Sequence, residues 1–293
     1  MNIYDISEKA GVSIATVSRV LNGNSKVSDK TRKKILAVME ETGYQPNVFA
    51  RGLGLNTMNT VGVMCADSSD MVLASAVYHV EQELHKYQYD VLLCCTGYET
   101  EEKAKYMNLL LSKRVDALIL VGSSFIEKNM EKNQYIIEAA KEVPVMLVNA
   151  YLDAPNVYCA VCDDRTMMRQ VTREFLEHKR QILYLYRSLS YSGRQKLQGI
   201  KDAFKDCGQK PEKDQMVLMK DSTIEDTRKF LAERWGQGVR WNVVMTSDDE
   251  LAVGACKFAK AQGLKVPQDM QILGYNNSKI SICSEPEIST VDN

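Results

Sequence analysis

From residue 60 to residue 275, short apolar runs alternate with amphipathic stretches, and this alternation limits the fold more than any other feature of the chain. The first two runs are VGVMCA (61–66) and DVLLCCT (90–96), and the stretch between them carries apolar residues at helical spacing. Further strands are predicted at 116–122, 145–150, 157–162, 181–186, 215–219, 241–246 and 270–275, with helices between most of them. Strands that are apolar throughout are typical of parallel sheets covered on both faces. We therefore predict two doubly wound lobes.

The N-terminal segment has a different pattern, which is typical of a helix-turn-helix. Ile3, Ile6 and Ala10 fall at helical spacing and can form one buried stripe. Gly11 supplies the permissive backbone that a tight turn requires, and Ser13 is placed to cap a second helix. The pattern predicts two short helices that pack against each other.

The second predicted helix lies within VSIATVSRVLN (12–22) and has two unlike faces. Val17, Val20 and Leu21 share the apolar face. The opposite face comprises Ile14, Ala15, Thr16, Ser18 and Arg19. A guanidinium suits a guanine edge and hydroxyl groups suit phosphates, so this face is predicted to lie against DNA. The alternative is an ordinary amphipathic helix pair.

The charge distribution agrees with DNA contact at the N-terminal end. The net charge is −1, but the first 60 residues hold eight Lys/Arg and five Asp/Glu, which leaves 29 and 33 in the remainder. The chain has no apolar run long enough to span a bilayer, and MNIYDISEKA has neither the basic start nor the apolar stretch of a signal peptide. The sequence predicts a cytoplasmic protein with no membrane partner.

Cysteine and histidine usage gives no support for catalysis or metal binding. The eight cysteines lie mainly in or beside apolar runs, which predicts buried thiols and no disulfide framework. Cys159 and Cys162 form a C-x-x-C, but they fall in a predicted strand, where a redox or metal role is not favoured. The chain has three histidines and no nucleophile-elbow, dinucleotide or phosphate-loop motif. We therefore expect no enzyme activity, no metal site and no cofactor.

Three linked motifs follow one another in the first 53 residues: TVSRVLNG (16–23), VSDKTRKKI (27–35) and GYQPNVFARGL (43–53). In that order and spacing they resemble the headpiece of the LacI/GalR family of bacterial transcription regulators. The resemblance implies that Ile14, Ala15 and Arg19 meet base edges in the major groove. It implies that the DNA backbone is held by Thr16, Ser18, Asn22 and Tyr44. It also implies a hinge helix whose DNA-contacting residues are Asn47, Arg51 and Leu53, with Leu53 wedged between base pairs from the minor groove.

The rest of the chain resembles the effector-binding core of that family, which has the fold of type I periplasmic sugar-binding proteins. SGRQKLQGIKDAF (192–204), TSDDELAVGA (246–255) and LGYNN (273–277) carry this resemblance. Polar residues that follow predicted strands, and residues implied by the resemblance, make up the candidate effector site: Asp67, Asp163, Arg194, Ser247, Asp248 and Asn276.

Two departures from the family pattern bear on the effector. Asn276 stands where sugar-binding members have an acid, so one charge is missing. ADSSDMVLA (66–74) lacks the aromatic residues that cover a ring ligand in the family. Both departures argue against a standard hexose. They favour a polyol, an acidic sugar, a protein partner or an effector site that has decayed.

The predicted fold is an all-α helix-turn-helix headpiece followed by an α/β core of two lobes, lacking the last strand and helix of that core. The expected boundaries are 1–45 for the headpiece, 46–59 for the hinge, 60–157 with 286–293 for the first lobe and 158–285 for the second. SEPEISTVDN (284–293) resembles the last crossover into the first lobe. We expect exposed apolar surface and lowered stability where the following elements are missing.

The predicted function is an effector-responsive repressor of carbohydrate-metabolism genes that binds a palindromic DNA operator. Two headpieces are needed for two half-sites, so a homodimer is expected. The expected effector is a sugar or sugar derivative, with a protein corepressor as the other option. The alternative function is that of a solute-binding protein of the same core fold without a transcriptional role.

Overall fold

The computed structural model describes residues 1–23, 26–45, 57–220 and 222–293. The chain divides into two compact units, the first formed by residues 1–60 with 114–116 and the second by residues 61–113 with 117–293. Within the described ranges, no helix is both long enough and apolar enough to cross a membrane.

Three helices make up most of residues 3–42 of the first unit. Its helices are α1 (Ile3–Ala10), α2 (Ile14–Leu21) and α3 (Asp29–Thr42). Side-chain oxygens of Asn2, Ser13 and Ser28 accept backbone hydrogen bonds at the three helix starts. Gly11 and Gly43 end α1 and α3 in the left-handed conformation, with φ of 59° and 61°. The tight turn predicted at Gly11 is confirmed.

A small core holds these three helices together. Ile6 and Ala10 of α1, Val17 and Val20 of α2 and Ile35 of α3 are buried against one another. Burial of a Val or Ile side chain contributes roughly 1.5–3 kcal/mol relative to exposure. The apolar stripes predicted for α1 and α2 therefore form the core of a helix-turn-helix.

The first lobe of the second unit is built on a five-stranded sheet. Its elements are β1 (Thr60–Cys65), α4 (Met71–Lys86), β2 (Asp90–Cys95), α5 (Thr100–Ser112), β3 (Ala117–Val121), α6 (Gln134–Ala140), β4 (Val145–Val148) and β5 (Val157–Ala160). The strand order is β2-β1-β3-β4-β5. The inner strands β1 and β3 are almost wholly buried, whereas the edge strand β2 leaves Leu92 and Leu93 exposed.

The second lobe is built on another five-stranded sheet. Its elements are α7 (Asp164–Glu177), β6 (Ile182–Tyr186), α8 (Tyr191–Asp206), β7 (Met216–Leu218), α9 (Ile224–Gly236), β8 (Val243–Thr246), α10 (Asp249–Ala261), β9 (Gln271–Tyr275) and β10 (Ser289–Val291). The strand order is β10-β9-β8-β6-β7, and the neighbouring strands run parallel. Two doubly wound lobes, as the alternation predicted, are confirmed.

Two short strands belong to other sheets than the sequence indicated. β5 pairs with β4 in the first sheet, although the expected lobe boundary at residue 157 assigned most of this strand to the second lobe. β10 pairs with β9 in the second sheet, although residues 286–293 were expected in the first lobe. Both assignments were wrong because long-range pairing decides which sheet an edge strand joins. The local sequence pattern does not indicate that pairing.

The helices α7 and α8 pack unusually closely on one side of the second sheet. A Cβ atom on Gly199 would lie 2.2 Å from the backbone oxygen of Arg165. Only glycine allows this approach. Ion pairs between Arg165 and Asp202 and between Arg169 and Asp206, each with an N–O distance of 2.6 Å, flank the close contact. The first turns of α7 are thereby fixed against the middle and the end of α8.

Candidate nucleic-acid interface and ligand cleft

The outward face of α2 presents the residues that the sequence assigned to base contact. Ile14 is 39% exposed, and Ala15 and Arg19 are also exposed. Val17 and Val20, on the other side of the helix, are buried. This exposed face of α2, with its small apolar side chains and one guanidinium, can enter a major groove while the headpiece stays folded.

The residues assigned to the DNA backbone are partly used within the headpiece. The Thr16 backbone N–H donates to Ser13 Oγ at 3.2 Å, and the two hydroxyl oxygens are 2.9 Å apart. Tyr44 is half-buried against the headpiece core, and Ser18 is half-buried on α2. Asn22 Oδ1 is buried and has no hydrogen-bond partner among the described residues.

The hinge residues cannot be placed in the same way. Asn47, Arg51 and Leu53 lie outside the described residues. Their contacts with DNA stay predictions that rest on the sequence alone.

In the first lobe, the candidate ligand residue Asp67 follows β1. Its Oδ1 accepts from the backbone N–H of Ser69 at 2.8 Å and from the Ser69 hydroxyl at 2.7 Å. These hydrogen bonds lower the pKa of Asp67. Three residues later, Asp70 caps α4. Asp67 is therefore an ionised, half-exposed carboxylate in a fixed turn.

In the second lobe, three candidate ligand residues also have structural partners. Asp163 is exposed and caps α7, with Oδ1 accepting from the Thr166 backbone N–H at 3.0 Å. Asp248 caps α10 and forms an ion pair with Arg187, whose Nε lies 3.0 Å from Oδ2. The Ser247 hydroxyl donates to Asp248 Oδ2 at 2.9 Å. Of these three, Asp163 is the most accessible to a ligand.

Arg194 joins the two lobes. Its guanidinium donates from Nη1 to the Leu189 backbone oxygen at 2.7 Å and from Nη2 to the Ile126 backbone oxygen at 3.5 Å. Ile126 belongs to the first lobe. Nearby, the Ser123 hydroxyl of the first lobe donates to Ser190 Oγ of the second lobe at 2.9 Å. The predicted ligand residue Arg194 therefore takes part in a contact that depends on how the lobes are arranged.

Asn276 lies directly after β9 with an unusual backbone conformation. Its φ is 90°, and its backbone N–H donates to the Val291 oxygen at 2.9 Å. Asn is one of the few residues that adopt positive φ readily. Its half-exposed side chain has no hydrogen bond to any residue that the structure describes.

A buried polar cluster beside these residues was missed by the sequence reasoning. Lys196 is only 4% exposed, and its Nζ donates to the Ser247 backbone oxygen at 3.1 Å and lies 3.5 Å from the ring centroid of Tyr275. The Tyr275 hydroxyl donates to Asp164 Oδ1 at 2.6 Å. Burial lowers the pKa of Lys196 to about 8, although nearby carboxylates, with Asp164 first among them, oppose the shift.

Several polar atoms around this cluster lack partners. Asp164 Oδ2, the Tyr184 hydroxyl and Ser192 Oγ are buried with no hydrogen bond among the described residues. Buried polar atoms are nearly always satisfied by protein, water or ligand. A signal for Lys196 was present in the sequence, because Lys196, Ile200 and Ala203 share one helical stripe that is buried in α8.

The cysteines are less buried than expected. All eight are free thiols, and Cys65 and Cys256 are buried. Cys95, Cys162 and Cys283 are exposed, so the prediction of buried thiols was wrong for these three. No group of three or more potential metal ligands occurs within the described ranges, the C-x-x-C region included.

An open depression of about 570 Å³ lies on the outer side of the second lobe, between the ends of α7 and α8. Its charged lining residues include Arg169 and Arg173, which are paired with Asp206 and Glu177 at 2.6 and 2.7 Å. None of the predicted effector residues lines it. Both arginines of this depression are already paired with a carboxylate.

Comparisons with known proteins agree with this geometry. Residues 2–47 match the family described as bacterial regulatory proteins, lacI family, and residues 58–284 match periplasmic binding proteins and sugar binding domain of LacI family. An HTH-type transcriptional regulator of Lachnoclostridium phytofermentans is 54% identical over 100% of this chain and 88% of its own length. Catabolite control protein A of Priestia megaterium is 28% identical over 99% of this chain and 87% of its own length.

Solved structures show the same fold. The lac repressor dimer bound to operator and the anti-inducer ONPF superposes with a TM-score of 0.87 at 23% identity, covering 100% of this chain and 87% of that one. The complex of the transcriptional regulator CelR with cellobiose gives a TM-score of 0.67 at 23% identity, covering 100% of this chain and 88% of that one. The chain has a helix-turn-helix, a two-lobed core and a relative that is 54% identical over all of this chain, and it belongs to the LacI family of DNA-binding transcriptional regulators.

Proposed function

We propose that this chain is an effector-responsive repressor of carbohydrate-metabolism genes that binds a palindromic operator as a homodimer. The observation that carries the proposal is the face of α2, on which Ile14, Ala15 and Arg19 are exposed while Val17 and Val20 are buried. Relatives named for catabolite control, and a lac repressor solved as a dimer on its operator, support the same function.

In the proposed complex, each headpiece reads one half-site. Arg19 donates two hydrogen bonds to a guanine, and Ile14 and Ala15 make apolar contacts with neighbouring base edges. The contacts with sugar and phosphate are made by Thr16, Ser18, Asn22, Tyr44, Asn47 and Arg51. Leu53 inserts from the minor groove at the centre of the palindrome and kinks the duplex. We place the headpiece at residues 1–45 and the hinge at residues 46–59.

Homodimer formation is proposed to use the outward face of α4. None of the residues of this 16-residue helix is buried. Met71 and Tyr78 on it are 40% and 59% exposed. A second copy related by a two-fold axis would cover the same surface on both subunits, and its symmetry would match that of a palindrome.

The effector is proposed to bind between the two lobes. Asp67 from the first lobe and Asp163 and Asn276 from the second supply oxygen and amide groups that suit the hydroxyl groups of a polyol or sugar derivative. Ser247 and Asp248 frame the second-lobe side, and the buried Lys196 lies behind Ser247. Cellobiose in the CelR complex supports a carbohydrate ligand.

The coupling to DNA is proposed to run through the contact between the lobes. Arg194 bonds to the first-lobe oxygen of Ile126 over 3.5 Å, a distance that a small rotation of the lobes would lengthen or shorten. A ligand that binds one arrangement of the lobes more tightly shifts the equilibrium between the two arrangements by the difference between its two affinities. Coupling free energies between two binding sites are typically roughly 1–3 kcal/mol. The change would alter the spacing of the two hinge segments in the dimer.

The experiment that tests the proposal is selection of bound duplexes from a random DNA library with the full 293-residue chain. A palindrome is expected, and operator release is then screened with sugars, polyols and acidic sugars. Arg19→Ala serves as the matched variant. If the wild-type chain enriched no sequence, or enriched the same sequences as Arg19→Ala, the proposed recognition would be wrong.

A further inference from the structure

Cys65 and Cys95 lie directly opposite each other on two neighbouring strands. The Thr96 backbone N–H donates to the Cys65 oxygen at 2.9 Å, and the Gly97 N–H donates to the Ala66 oxygen at 2.9 Å. This register pairs the two cysteines across β1 and β2. Their Sγ atoms are 3.9 Å apart, so both side chains project from the same face of the sheet.

The two thiols differ in their access to solvent. Cys65 is buried in a cluster with Val61, Val63 and Val121. Cys95 is exposed. An oxidant in solution can therefore reach the outer thiol first, while the inner thiol is held next to it and kept away from competing partners.

The strand arrangement allows a bond between the two sulfur atoms. Neighbouring strands lie ~4.7–4.9 Å apart, which falls within the ~4.4–6.8 Å between Cα atoms that disulfides span. β2 is the edge strand of its sheet, so one of its sides is not held by another strand. The remaining approach of the sulfur atoms needs only a local shift at that edge.

The geometry points to Cys65 and Cys95 as an oxidisable dithiol that forms an intramolecular disulfide when the protein meets a peroxide. The Cys95 thiol gives up its proton and the thiolate attacks one peroxide oxygen. The O–O bond breaks, a Cys95 sulfenic acid forms, and the leaving hydroxide takes up that proton to become water. The Cys65 sulfur then attacks the Cys95 sulfur, the S–O bond breaks and a second water leaves with the Cys65 proton. Two thiols are oxidised and one peroxide is reduced, which balances the reaction.

Electrostatics agrees with this order of events. Burial, with the neighbouring Cys95 as a further cause, raises the pKa of Cys65 to about 12. Cys65 is therefore protonated at neutral pH and reacts second, after Cys95 has become an electrophile. The neighbouring Cys94 points to the opposite face of the strand and is not placed to compete.

The test uses the full folded chain exposed to a small excess of hydrogen peroxide. Remaining thiols are then alkylated, and the protein is digested without reduction for mass spectrometry. We expect a Cys65 peptide joined to a Cys95 peptide, lighter by two hydrogen atoms than the pair of thiols and separated again by dithiothreitol. Cys162→Ser, which removes another exposed thiol, should leave the linked pair unchanged.

Two further variants separate the roles of the thiols. Cys95→Ser, at the exposed position, should abolish the linked pair without disturbing the fold. Cys65→Ser should leave Cys95 without its partner, so Cys95 should accumulate as sulfinic acid. The proposal is overturned if wild-type Cys95 is recovered as a free thiol or a sulfinic acid. It is also overturned if Cys95 is joined to Cys94, to Cys162 or to another chain, or if the Cys65 link appears only in denaturant.

Discussion

Lys196 Nζ lies 3.5 Å from the ring centroid of Tyr275, with its charge almost completely removed from water. The aromatic face and the Ser247 backbone oxygen, 3.1 Å away, partly replace the lost hydration. Nearby carboxylates favour the charged form, yet burial is the larger effect and lowers the pKa of Lys196 to about 8. The folded state therefore binds this proton more weakly than the unfolded state does.

The pH dependence of stability follows from that difference. Below pH 8 both states hold the proton, and the folded state bears the cost of a buried charge. Between about 8 and 10.5 the folded state releases the proton while the unfolded state keeps it, so the contribution of Lys196 to stability rises with pH. The full change is on the order of 3 kcal/mol. The free energy of unfolding in urea is measured for the wild type and for Lys196→Met, below pH 8 and near pH 10. From the lower to the higher pH, the wild type should gain stability relative to the variant. A constant difference would contradict the shifted pKa.

Arg19→Ala should reduce sequence discrimination more than general affinity. Loss of a paired contact with guanine costs roughly 1–3 kcal/mol at one base pair in each half-site. Arg19→Lys keeps the charge but loses the planar pair of donors, so it should lose discrimination as well. The exposed Lys33→Ala should instead weaken binding to all sequences and reduce the salt slope by about one. Equal losses on specific and random DNA with Arg19→Ala would make Arg19 a phosphate contact.

Gly199→Ala should destabilise the core. The new Cβ would lie 2.2 Å from the Arg165 backbone oxygen, so α7 and α8 must separate. Overpacking of this kind costs typically ~1–3 kcal/mol. Gly236→Ala is the matched control, since a Cβ there has no neighbour within 4 Å and should be neutral or slightly stabilising. Thermal melting of both variants checks this, and an unchanged Gly199→Ala melt would show that the helices can move apart freely.

Tyr78→Asp should weaken dimerisation if the outward face of α4 is the contact between subunits. Tyr78 is 59% exposed, so the change should not unfold the chain. Tyr87, at 69% exposure, lies just beyond the end of α4 and outside its outward face, which makes Tyr87→Asp the control. Sedimentation and operator titration should show a monomer with weakened palindrome binding only for Tyr78→Asp. A dimer that survives this change would place the interface elsewhere.

Most of the fold could be predicted because its elements have strong local periods. The inner strands are apolar along their whole length, and the amphipathic stretches between them became the helices of both lobes. β5 and β10 are four and three residues long and lie at sheet edges. Their assignment depends on which strand they meet, and no local pattern specifies that.

The candidate sites were predicted unevenly for a related reason. Ser13 and Gly11 frame α2 through local capping and turn chemistry, so its exposed face could be inferred from spacing. Lys196 was overlooked because lysine usually lies on a solvated face, and only its position in a buried stripe indicated otherwise. Arg194 was identified, but its bond to the Ile126 oxygen depends on where the other lobe lies.

The headpiece core has a consequence for how such proteins diversify. Ile6, Ala10, Val17, Val20 and Ile35 pack against one another within the first 60 residues, while the sensing lobes have separate apolar clusters. Substitutions on the exposed side of α2 therefore leave both sets of packing contacts intact. Mutations can therefore change the operator that the protein recognises without changing the effector that it binds, and the reverse also holds. The two specificities can evolve as interchangeable modules.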